Sequence, residues 1–465
     1  MPSNDEVNAR LYPKVQAAVS EQKKTAPREA LLDTVGPQGA TSTIVQPAPW
    51  PVMEEAAYHG LTGEVVRLIA PHTEADPVSL VASFLSEFGT MLNRGPHLIL
   101  DGSYHPLLVW PVLVGQSSKS RKGSAGNRIK TLFKTATPEW TGGECKGTLS
   151  SGEGLTAAVR DPEYREVQLK GKDRRPTGET VLELVDAGIE DKRLFLVQSE
   201  FGAVLGVMGR EGNSLSGVLR DAWDGQDLAP MTKGNPIKAT APHIGIVGHV
   251  TKDELLVKLR GSEVSNGFGN RFLWILVRRS NELPFSSSPE AQDMEDLTSR
   301  LGKALTKGWT IGRISMTLEA RNVWAAGYHD LSADRTGLAG ALLGRAEAYT
   351  MRLAALYAVL DGQREIDLVH LQAARAFWNY AETSTMLIFG DALGDPLADT
   401  ILAALRARGS LSDTEISALF SRHTDMQRLG QAKTRLLSLG LAHFDTIETC
   451  GRPKVTWKLG AKKAN

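Results

Sequence analysis

A glycine, two lysines and several serines follow a strongly apolar stretch of the chain. The run LLVWPVLVG ends at Gly115, and QSSKSRKGS (residues 116–124) and a helix-like segment come next. In a strand–loop–helix of this kind, backbone amides wrap around phosphate oxygens at the positive end of the helix. A lysine neutralises the β- and γ-phosphates, and a hydroxyl at the helix start binds Mg²⁺. The segment therefore predicts a phosphate-binding loop.

The order of residues in this loop departs from the usual G-x-x-x-x-G-K-[ST] pattern. The stretch from Gly115 to Lys122 is one residue longer, and the second glycine follows the lysine. We assign Lys122 as the phosphate lysine and Ser124 as the Mg²⁺ ligand, because Ser124 best fits the first helical turn. Lys119 and Ser120 are the rival pair, and a basic surface turn is the alternative without function. The predicted ATP-binding residues are Gly115, Lys119, Ser120, Arg121, Lys122, Gly123 and Ser124.

Two glutamates lie where a nucleotide hydrolase needs carboxylates, one near the metal and one to activate water. Glu200 follows the apolar run RLFLVQS, although Gln198 and Ser199 occupy the places where an acid is usual. Glu153 lies in the segment SSGEG, after a predicted second strand. We expect Glu200 to bind the metal and Glu153 to activate water. A solvated loop acid is the alternative for either residue.

Polar residues at the ends of later strands extend this site. His249 and Thr251 end the apolar run HIGIVGHVT, so they are candidates to sense the γ-phosphate, and Thr251 also fits an N-cap of the next helix. Ring ATPases complete each site with an arginine from the neighbouring subunit. Arg271 is our first candidate for that arginine, with an ion pair inside the subunit as the alternative. Weaker candidates are Arg278, Arg279 and Arg352.

The elements that must position these residues alternate between apolar strands and helices. Such alternation predicts an α/β fold with a mainly parallel sheet covered on both faces. The charged residues 162–192 interrupt it and read as a hairpin insertion. We predict a mobile arm at 1–45, a helical segment at 46–100, the α/β core at 101–288, a helical region at 289–392, and a small unit at 393–465.

Three helical segments followed by two β-like runs give the last unit the plan of a winged helix. In that fold the third helix enters a groove of DNA and the β-wing contacts phosphates. Lysines and arginines in these places neutralise phosphates. A protein-docking module with solvated basic residues is the alternative. The predicted DNA-contacting residues are Arg428, Lys433, Arg435, Arg452 and Lys454.

Composition limits the classes of protein to consider. Fifty-three basic residues balance fifty-three acidic ones, so net charge gives no support to nucleic-acid binding and any basic surface is local. Two cysteines make neither a disulfide framework nor a zinc cluster, which favours a reducing compartment. The N-terminus has no apolar signal core and no run is long enough to span a membrane. We therefore expect a cytoplasmic protein without a membrane anchor.

The chain resembles the RecA-fold primase-helicase-like proteins of phages, plasmids and genomic islands, whose relatives are hexameric plasmid replicative helicases. The resemblance covers about residues 50 to 390 and rests on a set of motifs. These are VLVGQSSKSRKGS, LSSGEGLTAAVRD, DKRLFLVQSEFGAVL, LSGVLRDAWDG, TAPHIGIVGHVTKDEL, NGFGNRFLWILVRRS and RAEAYTMRLAALYAVLDG. It implies a RecA-like core that uses ATP and Mg²⁺ to move along single-stranded DNA as a homo-oligomeric ring, a hexamer in those relatives. No primase motif is evident, so a separate primase is expected.

Three functions remain open from the sequence. The first is an ATP-dependent DNA helicase or translocase of a mobile genetic element, with ATP hydrolysed at the interfaces of a ring. The second is a nucleotide-binding replication initiator or regulatory or defence switch without motor activity, which the unusual phosphate loop favours. The third is a structural DNA-binding protein whose ATPase core has decayed.

Overall fold

A computed structural model describes thirteen segments of the chain, and the elements below belong to one unit, residues 50–465. The predicted arm at 1–45 lies outside the described residues. The described residues are 49–116, 120–140, 147–170, 176–229, 237–259, 263–264, 266–285, 287–335, 337–390, 393, 395–420, 425–447 and 454–460.

The segment predicted as helical at 46–100 contains two helices, and a small hairpin that was not predicted follows them. They are α1 (Gly60–Ile69), α2 (Pro77–Met91), β1 (His97–Leu100) and β2 (Ser103–Pro106). Asp76 caps α2 by accepting a hydrogen bond of 3.1 Å from the Val78 amide, and Pro77 is the first helical residue, as the sequence predicted. Almost every residue of α2 is buried, because this helix packs against the central sheet.

The α/β core follows in chain order. Its elements are β3 (Pro111–Gly115), α3 (Lys122–Ala136), α4 (Gly152–Ala157), β4 (Glu163–Lys170), β5 (Pro176–Asp186), β6 (Arg193–Gln198), α5 (Phe201–Met208), α6 (Leu215–Trp223), β7 (His243–Thr251), α7 (Lys252–Lys258) and β8 (Leu273–Leu276). Four of the strands pair in parallel, in the order β6–β7–β3–β8. The prediction of a mixed α/β fold with a parallel sheet is therefore confirmed.

Helices cover both faces of this sheet. A Cβ on Gly245 would overlap Thr90 of α2, and a Cβ on Gly248 would lie 2.8 Å from the Phe201 ring of α5. These glycines are three residues apart in β7, so they face opposite sides of the sheet. Strand β3 lies between β7 and β8. Because all four strands are parallel, their carboxyl ends lie at one edge of the sheet.

The second strand-to-loop unit, predicted near residues 147–154, contains no strand in that part of the chain. The Gln198 side chain accepts a hydrogen bond of 3.0 Å from the Leu149 amide and donates one of 3.2 Å to the Gly147 carbonyl. Residues 147–150 have no regular structure up to the start of α4. The Gln198 side chain therefore forms the two backbone hydrogen bonds that a neighbouring strand would form in a sheet.

The charged insertion is a hairpin, as predicted. Strands β4 and β5 pair with each other in antiparallel register, with Tyr164 opposite Leu184. Tyr164 is 56% exposed and Leu184 51% exposed, so this side of the ribbon faces solvent. At its base, Arg160 makes two hydrogen bonds, of 2.6 and 3.0 Å, to the Asp186 carboxylate.

The helical region and the C-terminal unit have separate hydrophobic cores. The region contains α8 (Ala291–Gly308), β9 (Ser315–Met316), α9 (Leu318–Leu331), α10 (Gly337–Leu342), α11 (Ala346–Leu360), β10 (Glu365–Ile366) and α12 (Leu368–Phe389). The unit contains α13 (Pro396–Arg408), β11 (Ser410–Ser412), α14 (Asp413–Leu419), α15 (Met426–Ser438), β12 (Ala442–Ile447) and β13 (Lys454–Leu459). Its sheet is antiparallel in the order β11–β13–β12, with β11 an additional, unpredicted strand. Across the described ranges, no helix combines the length and apolar character that crossing a bilayer requires.

Candidate phosphate-binding site

The loop after β3 ends in a strained residue immediately before α3. Arg121 has φ 52°, in the left-handed region that side chains other than glycine rarely adopt, and it occupies the N-cap position. Ser120 is buried just before it. The rival lysine, Lys119, lies outside the described residues together with Ser117 and Ser118.

Lys122, the first residue of α3, reaches back over the end of β3. A Cβ built on Gly115 would lie 3.0 Å from Lys122 Nζ and would overlap the Ser120 side chain, so only glycine fits there. Burial lowers the pKa of Lys122, while attraction to Glu200 opposes the shift. The Lys122 ammonium therefore lies close to the end of β3. Ser124 is exposed in the first turn of α3.

Glu200 and His249 lie near this lysine. Glu200 is the N-cap residue of α5, two residues beyond the end of β6. His249 is only 4% exposed, and its Nε2 atom has no hydrogen-bond partner within the described part of the chain. Burial, and then repulsion from Lys122, lowers the pKa of His249 to about 4. A neutral imidazole and a carboxylate therefore flank the Lys122 ammonium at one edge of the sheet.

Thr251, the other residue proposed for this strand end, caps α7. Its side chain accepts a hydrogen bond of 3.3 Å from the Glu254 amide. The capping role that the sequence offered for Thr251 is therefore present. Glu254 itself pairs with Lys258 at 2.9 Å, one helical turn further along.

Glu74 supports the loop from outside, and sequence reasoning missed it. The Arg121 side chain donates from Nε to Glu74 at 2.6 Å, and Arg279 also donates to this carboxylate. The Leu283 amide donates to Glu74 at 2.9 Å. This amide first, and then the two arginines, lower the pKa of Glu74 to about 2. No motif marks Glu74, because its partners are distant in the sequence.

Glu153 lies in a different set of contacts. It is the second residue of α4, and its carboxylate accepts a hydrogen bond of 2.8 Å from Ser214 Oγ. Its own backbone amide, then Ser214 and Ser151, keep the pKa of Glu153 below its usual value. None of these partners belongs to residues 115–124. The structure therefore ties Glu153 to Ser214, the residue that precedes α6.

Arg271 is held inside its own subunit. Its guanidinium donates to Asp224 at 2.5 Å and to the Gly267 carbonyl at 2.6 Å, and the residue is 7% exposed. It precedes β8, at the sheet edge opposite the carboxyl ends. The intrasubunit ion pair, the alternative given for Arg271, is thus what the structure contains.

The weaker arginine candidates are also engaged within the chain. Arg352 is fully buried, donates to the Leu108 carbonyl at 3.0 Å and lies 3.6 Å from the centre of the Trp223 ring. Its burial lowers the pKa of Arg352 to about 9. The Arg278 guanidinium lies 5.1 Å from the centre of the Trp50 ring. We interpret these arginines as packing residues.

Two of the predicted DNA-contacting residues bind other residues of the C-terminal unit. Lys433 pairs with Asp413 at 2.6 Å, and Arg435 donates to the Leu393 carbonyl at 2.6 Å. Arg428 is exposed on α15. Arg452 lies outside the described residues, as does the side chain of Lys454.

A histidine–aspartate–histidine group lies apart from these residues. Asp361 accepts from His59 Nε2 at 2.7 Å and from His370 Nε2 at 3.1 Å, an arrangement compact enough for a metal ion. The Asp367 amide, however, donates to His370 Nδ1 at 2.9 Å, so the ring proton of His370 is on Nε2 and points at Asp361. A metal ligand needs that nitrogen free of its proton. We therefore interpret the group as a hydrogen-bonded staple.

The structure brings together Gly115, Ser120, Lys122, Glu200 and His249, and it places Glu153 and Arg271 in other contacts. Neither a protein-family model nor a curated protein sequence matches this chain. The functional argument therefore depends on the geometry of the site.

Proposed function

We propose that the chain is a RecA-like P-loop ATPase that acts on DNA as a helicase or translocase. The observation that supports this most directly is Lys122 folded over Gly115, with Glu200 and His249 beside it. In open parallel sheets, ligands bind at the carboxyl edge where the strand order switches direction. Strand β3 lies at such a point, because β6 is on one side of it and β8 on the other.

The residues at this edge fit a nucleoside triphosphate with Mg²⁺. Gly123 and Gly126 have open space where a Cβ would be, so the first turn of α3 is free for close approach of phosphates to backbone amides. Mg²⁺ neutralises charge between the β- and γ-phosphates. Ser124 and Glu200 would hold the metal, and Lys122 would hold phosphate oxygens. The neutral imidazole of His249 would form a hydrogen bond at the position of the γ-phosphate.

The partners in this proposal come from the sequence and from the plan of the C-terminal unit. Three helices and a small antiparallel sheet support a winged helix, a fold that binds DNA through its third helix and its β-wing. Single-stranded DNA as the track, a hexameric ring and a separate primase follow from the family resemblance.

A nucleotide-binding switch without motor activity is the second candidate. Two observations favour it. Gln198 stands in place of an acid and is occupied with the backbone of residues 147–149. Arg271, the candidate for an arginine supplied to a neighbouring subunit, is paired with Asp224 of its own chain.

The test is ATP turnover by the full chain with and without single-stranded DNA. Wild type, Lys122→Ala and Lys119→Ala are compared, with Lys130→Ala, an exposed lysine of α3, as the matched control. We expect DNA-stimulated turnover that Lys122→Ala abolishes and Lys130→Ala preserves. ATP binding without turnover would favour the switch. If Lys119→Ala alone abolished turnover, the assignment of Lys122 would be wrong.

A further inference from the structure

Four arginines converge on the C-terminal end of α6 and on the residues just after it. They are Arg94, Arg271, Arg345 and Arg352. Arg352 donates to the Trp223 carbonyl at 3.2 Å, and Arg94 donates to the Gly225 carbonyl at 2.9 Å. Carbonyls at a helix C-terminus carry only a partial negative charge. They therefore satisfy hydrogen bonds of the two guanidinium groups without neutralising them.

One carboxylate, that of Asp224, serves the other two arginines. One of its oxygens accepts from Arg271 at 2.5 Å, and the other lies 3.6 Å from Nη1 of Arg345, beyond hydrogen-bond distance. The preceding carboxylate of the helix, Asp221, is exposed. Within the described part of the chain, no other carboxylate pairs with any of the four arginines. Their positive charge therefore exceeds the negative charge that the chain places beside them.

Burial makes this excess of charge unfavourable. The ring of Trp223 lies beside three of the four guanidinium groups, whose central carbons are 3.6, 4.7 and 5.8 Å from its centre. The Nε atoms of Arg271 and Arg352 are buried and have no acceptor among the described residues. Burial, and then repulsion from Arg271, lowers the pKa of Arg345. Because a buried charge is costly unless it is paired, an added anion would stabilise this cluster.

Arg345 is the arginine best placed to bind an anion from solution. Its Nε donates to Asn270 at 3.0 Å, whereas its two terminal nitrogens donate to no acceptor in the described part of the chain. Its side chain is 28% exposed, while Arg271 and Arg352 are buried. Two N–H groups in one plane match two oxygens of a phosphate. Arg345 therefore offers a bidentate donor with three further positive charges behind it.

The cluster is distant from the loop proposed to bind ATP. Arg271 precedes β8, at the edge where the parallel strands begin, whereas Lys122 follows β3, at the edge where they end. A strand of four or five residues spans roughly 13–17 Å. One phosphate group cannot contact both places, so an anion at Arg345 occupies a separate site.

We propose that Arg345, supported by the other three arginines, forms a second anion site that binds a phosphate group. The free phosphate ion, the phosphates of a nucleotide and the backbone of a nucleic acid all present the oxygens that such a site recognises. The charge of the cluster does not depend on the phosphate loop, so the inference stands apart from the proposed ATPase activity.

The test is thermal unfolding of the full chain over a range of inorganic phosphate concentrations, with sodium chloride at equal ionic strength as the reference. All proteins carry Lys122→Ala, which suppresses binding at the phosphate loop. We expect a saturable rise in Tm with phosphate, because the ion binds the folded chain. Arg345→Gln should weaken the apparent affinity for phosphate roughly tenfold or more. Arg321→Gln, at an exposed arginine of α9, is the matched control.

Asp224→Asn predicts a change of opposite sign. It removes the one carboxylate that offsets the cluster, so we expect tighter binding of phosphate although the variant is less stable without it. A purely structural role of the arginines would not produce this gain. The inference is overturned by an effect of phosphate no larger than that of chloride, by unchanged affinity in Arg345→Gln, or by weaker affinity in Asp224→Asn.

Competition identifies the source of the phosphate group. Equilibrium dialysis with labelled phosphate is repeated with a single-stranded oligonucleotide and with a non-hydrolysable ATP analogue. Displacement by the oligonucleotide assigns the site to a nucleic-acid backbone, and displacement by the analogue assigns it to a nucleotide. Retention of the label against both assigns it to the free ion. ATP turnover of the wild type is measured separately, and its absence would remove the proposed ATPase activity while leaving this site in place.

Discussion

Arg121 Nε and Glu74 Oε2 are joined by a hydrogen bond of 2.6 Å, although the two residues are 47 positions apart. Because Arg121 has a left-handed backbone just before α3, this bond fixes a strained residue of the loop after β3. The contact links the N-terminal helical segment to the loop that we propose holds ATP.

We expect Glu74→Gln to weaken ATP binding several-fold without removing the fold, since an amide keeps the shape but loses the charge-assisted bonds. Affinity for a fluorescent ATP analogue measures this. Glu55→Gln, at an exposed carboxylate on the surface, serves as the control. Unchanged affinity in Glu74→Gln would show that the loop holds its shape without this carboxylate.

The same carboxylate predicts a pH dependence. The pKa of Glu74 is lowered from 4.5 to about 2, so its contribution to stability is complete above pH 4.5 and is lost as the pH falls toward 2. The urea midpoints of wild type and Glu74→Gln should therefore converge between pH 4.5 and pH 2. A constant difference between them would contradict this.

The buried imidazole of His249 predicts a second loss of stability, in a higher pH range than that of Glu74. The pKa of His249 is lowered from 6.5 to about 4, so its contribution is complete above pH 6.5 and is lost as the pH falls to 4. Wild type should lose on the order of 3 kcal/mol more than His249→Gln over this interval. The measurement is urea unfolding at pH 7.5 and 4.5, with the exposed His329→Gln as control. Equal losses in wild type and His249→Gln would mean that the imidazole is not buried in its neutral form.

Substitution of Gly115 tests how closely Ser120 and Lys122 pack against the end of β3. We expect Gly115→Ala to abolish ATP binding, because the new Cβ would overlap Ser120 and press on Lys122 Nζ. Overpacking of this kind costs about 1–3 kcal/mol. Adding Ser120→Gly removes the overlap and should restore part of the binding, as measured by isothermal titration calorimetry. Equal binding in the single and double variants would place Ser120 elsewhere.

Variants of Arg271 and Asp224 distinguish an ion pair within the subunit from a role of Arg271 across a subunit interface. Arg271→Gln and Asp224→Asn should each lower the free energy of unfolding by about 1.5–3 kcal/mol, because both break one charge-assisted contact. Thermal or urea unfolding measures the change. If Arg271→Gln lost ATP turnover at full stability while Asp224→Asn kept both, Arg271 would be acting on a neighbouring subunit.

The hydrogen bonds of His59 and His370 to Asp361 predict that metal ions do not change the thermal stability of the protein. Burial would raise the pKa of Asp361, but the hydrogen bonds from His370 and His59 outweigh it and lower that pKa. Excess Zn²⁺ should leave Tm unchanged, since His370 Nε2 carries its proton, and Asp361→Asn should lower Tm. A rise in Tm with Zn²⁺ that Asp361→Asn removes would establish a metal site.

Local patterns predicted the parallel sheet and the position of Lys122. Apolar runs indicate buried strands. The apolar run that ends at Gly115 is followed by a helical pattern, so the sequence predicts a turn between this strand and the helix. Glu200 and His249 could be found in the same way. Each lies at or just after the end of an apolar run, and the carboxyl ends of parallel strands lie at one edge of the sheet.

Contacts between distant segments could not be predicted from one sequence. Glu74 has no motif, and the pairing of Arg271 with Asp224 depends on how α6 lies near the start of β8. From the sequence, Gln198 only marks the absence of an acid, yet in the structure its side-chain amide forms hydrogen bonds with the backbone of Gly147 and Leu149. Residue type at a strand end indicates where chemistry is possible, and the fold decides which partner each side chain finds.

The ribbon formed by β4 and β5 begins and ends at neighbouring points, because Glu163 is the pairing partner of Asp186. Paired residues in antiparallel strands lie about 5 Å apart, so a short turn is enough to join the two positions. The chain can therefore lengthen, shorten or exchange this arm without altering the register of the parallel sheet. Such a position is a natural place for related chains to differ and a convenient one to attach a reporter domain.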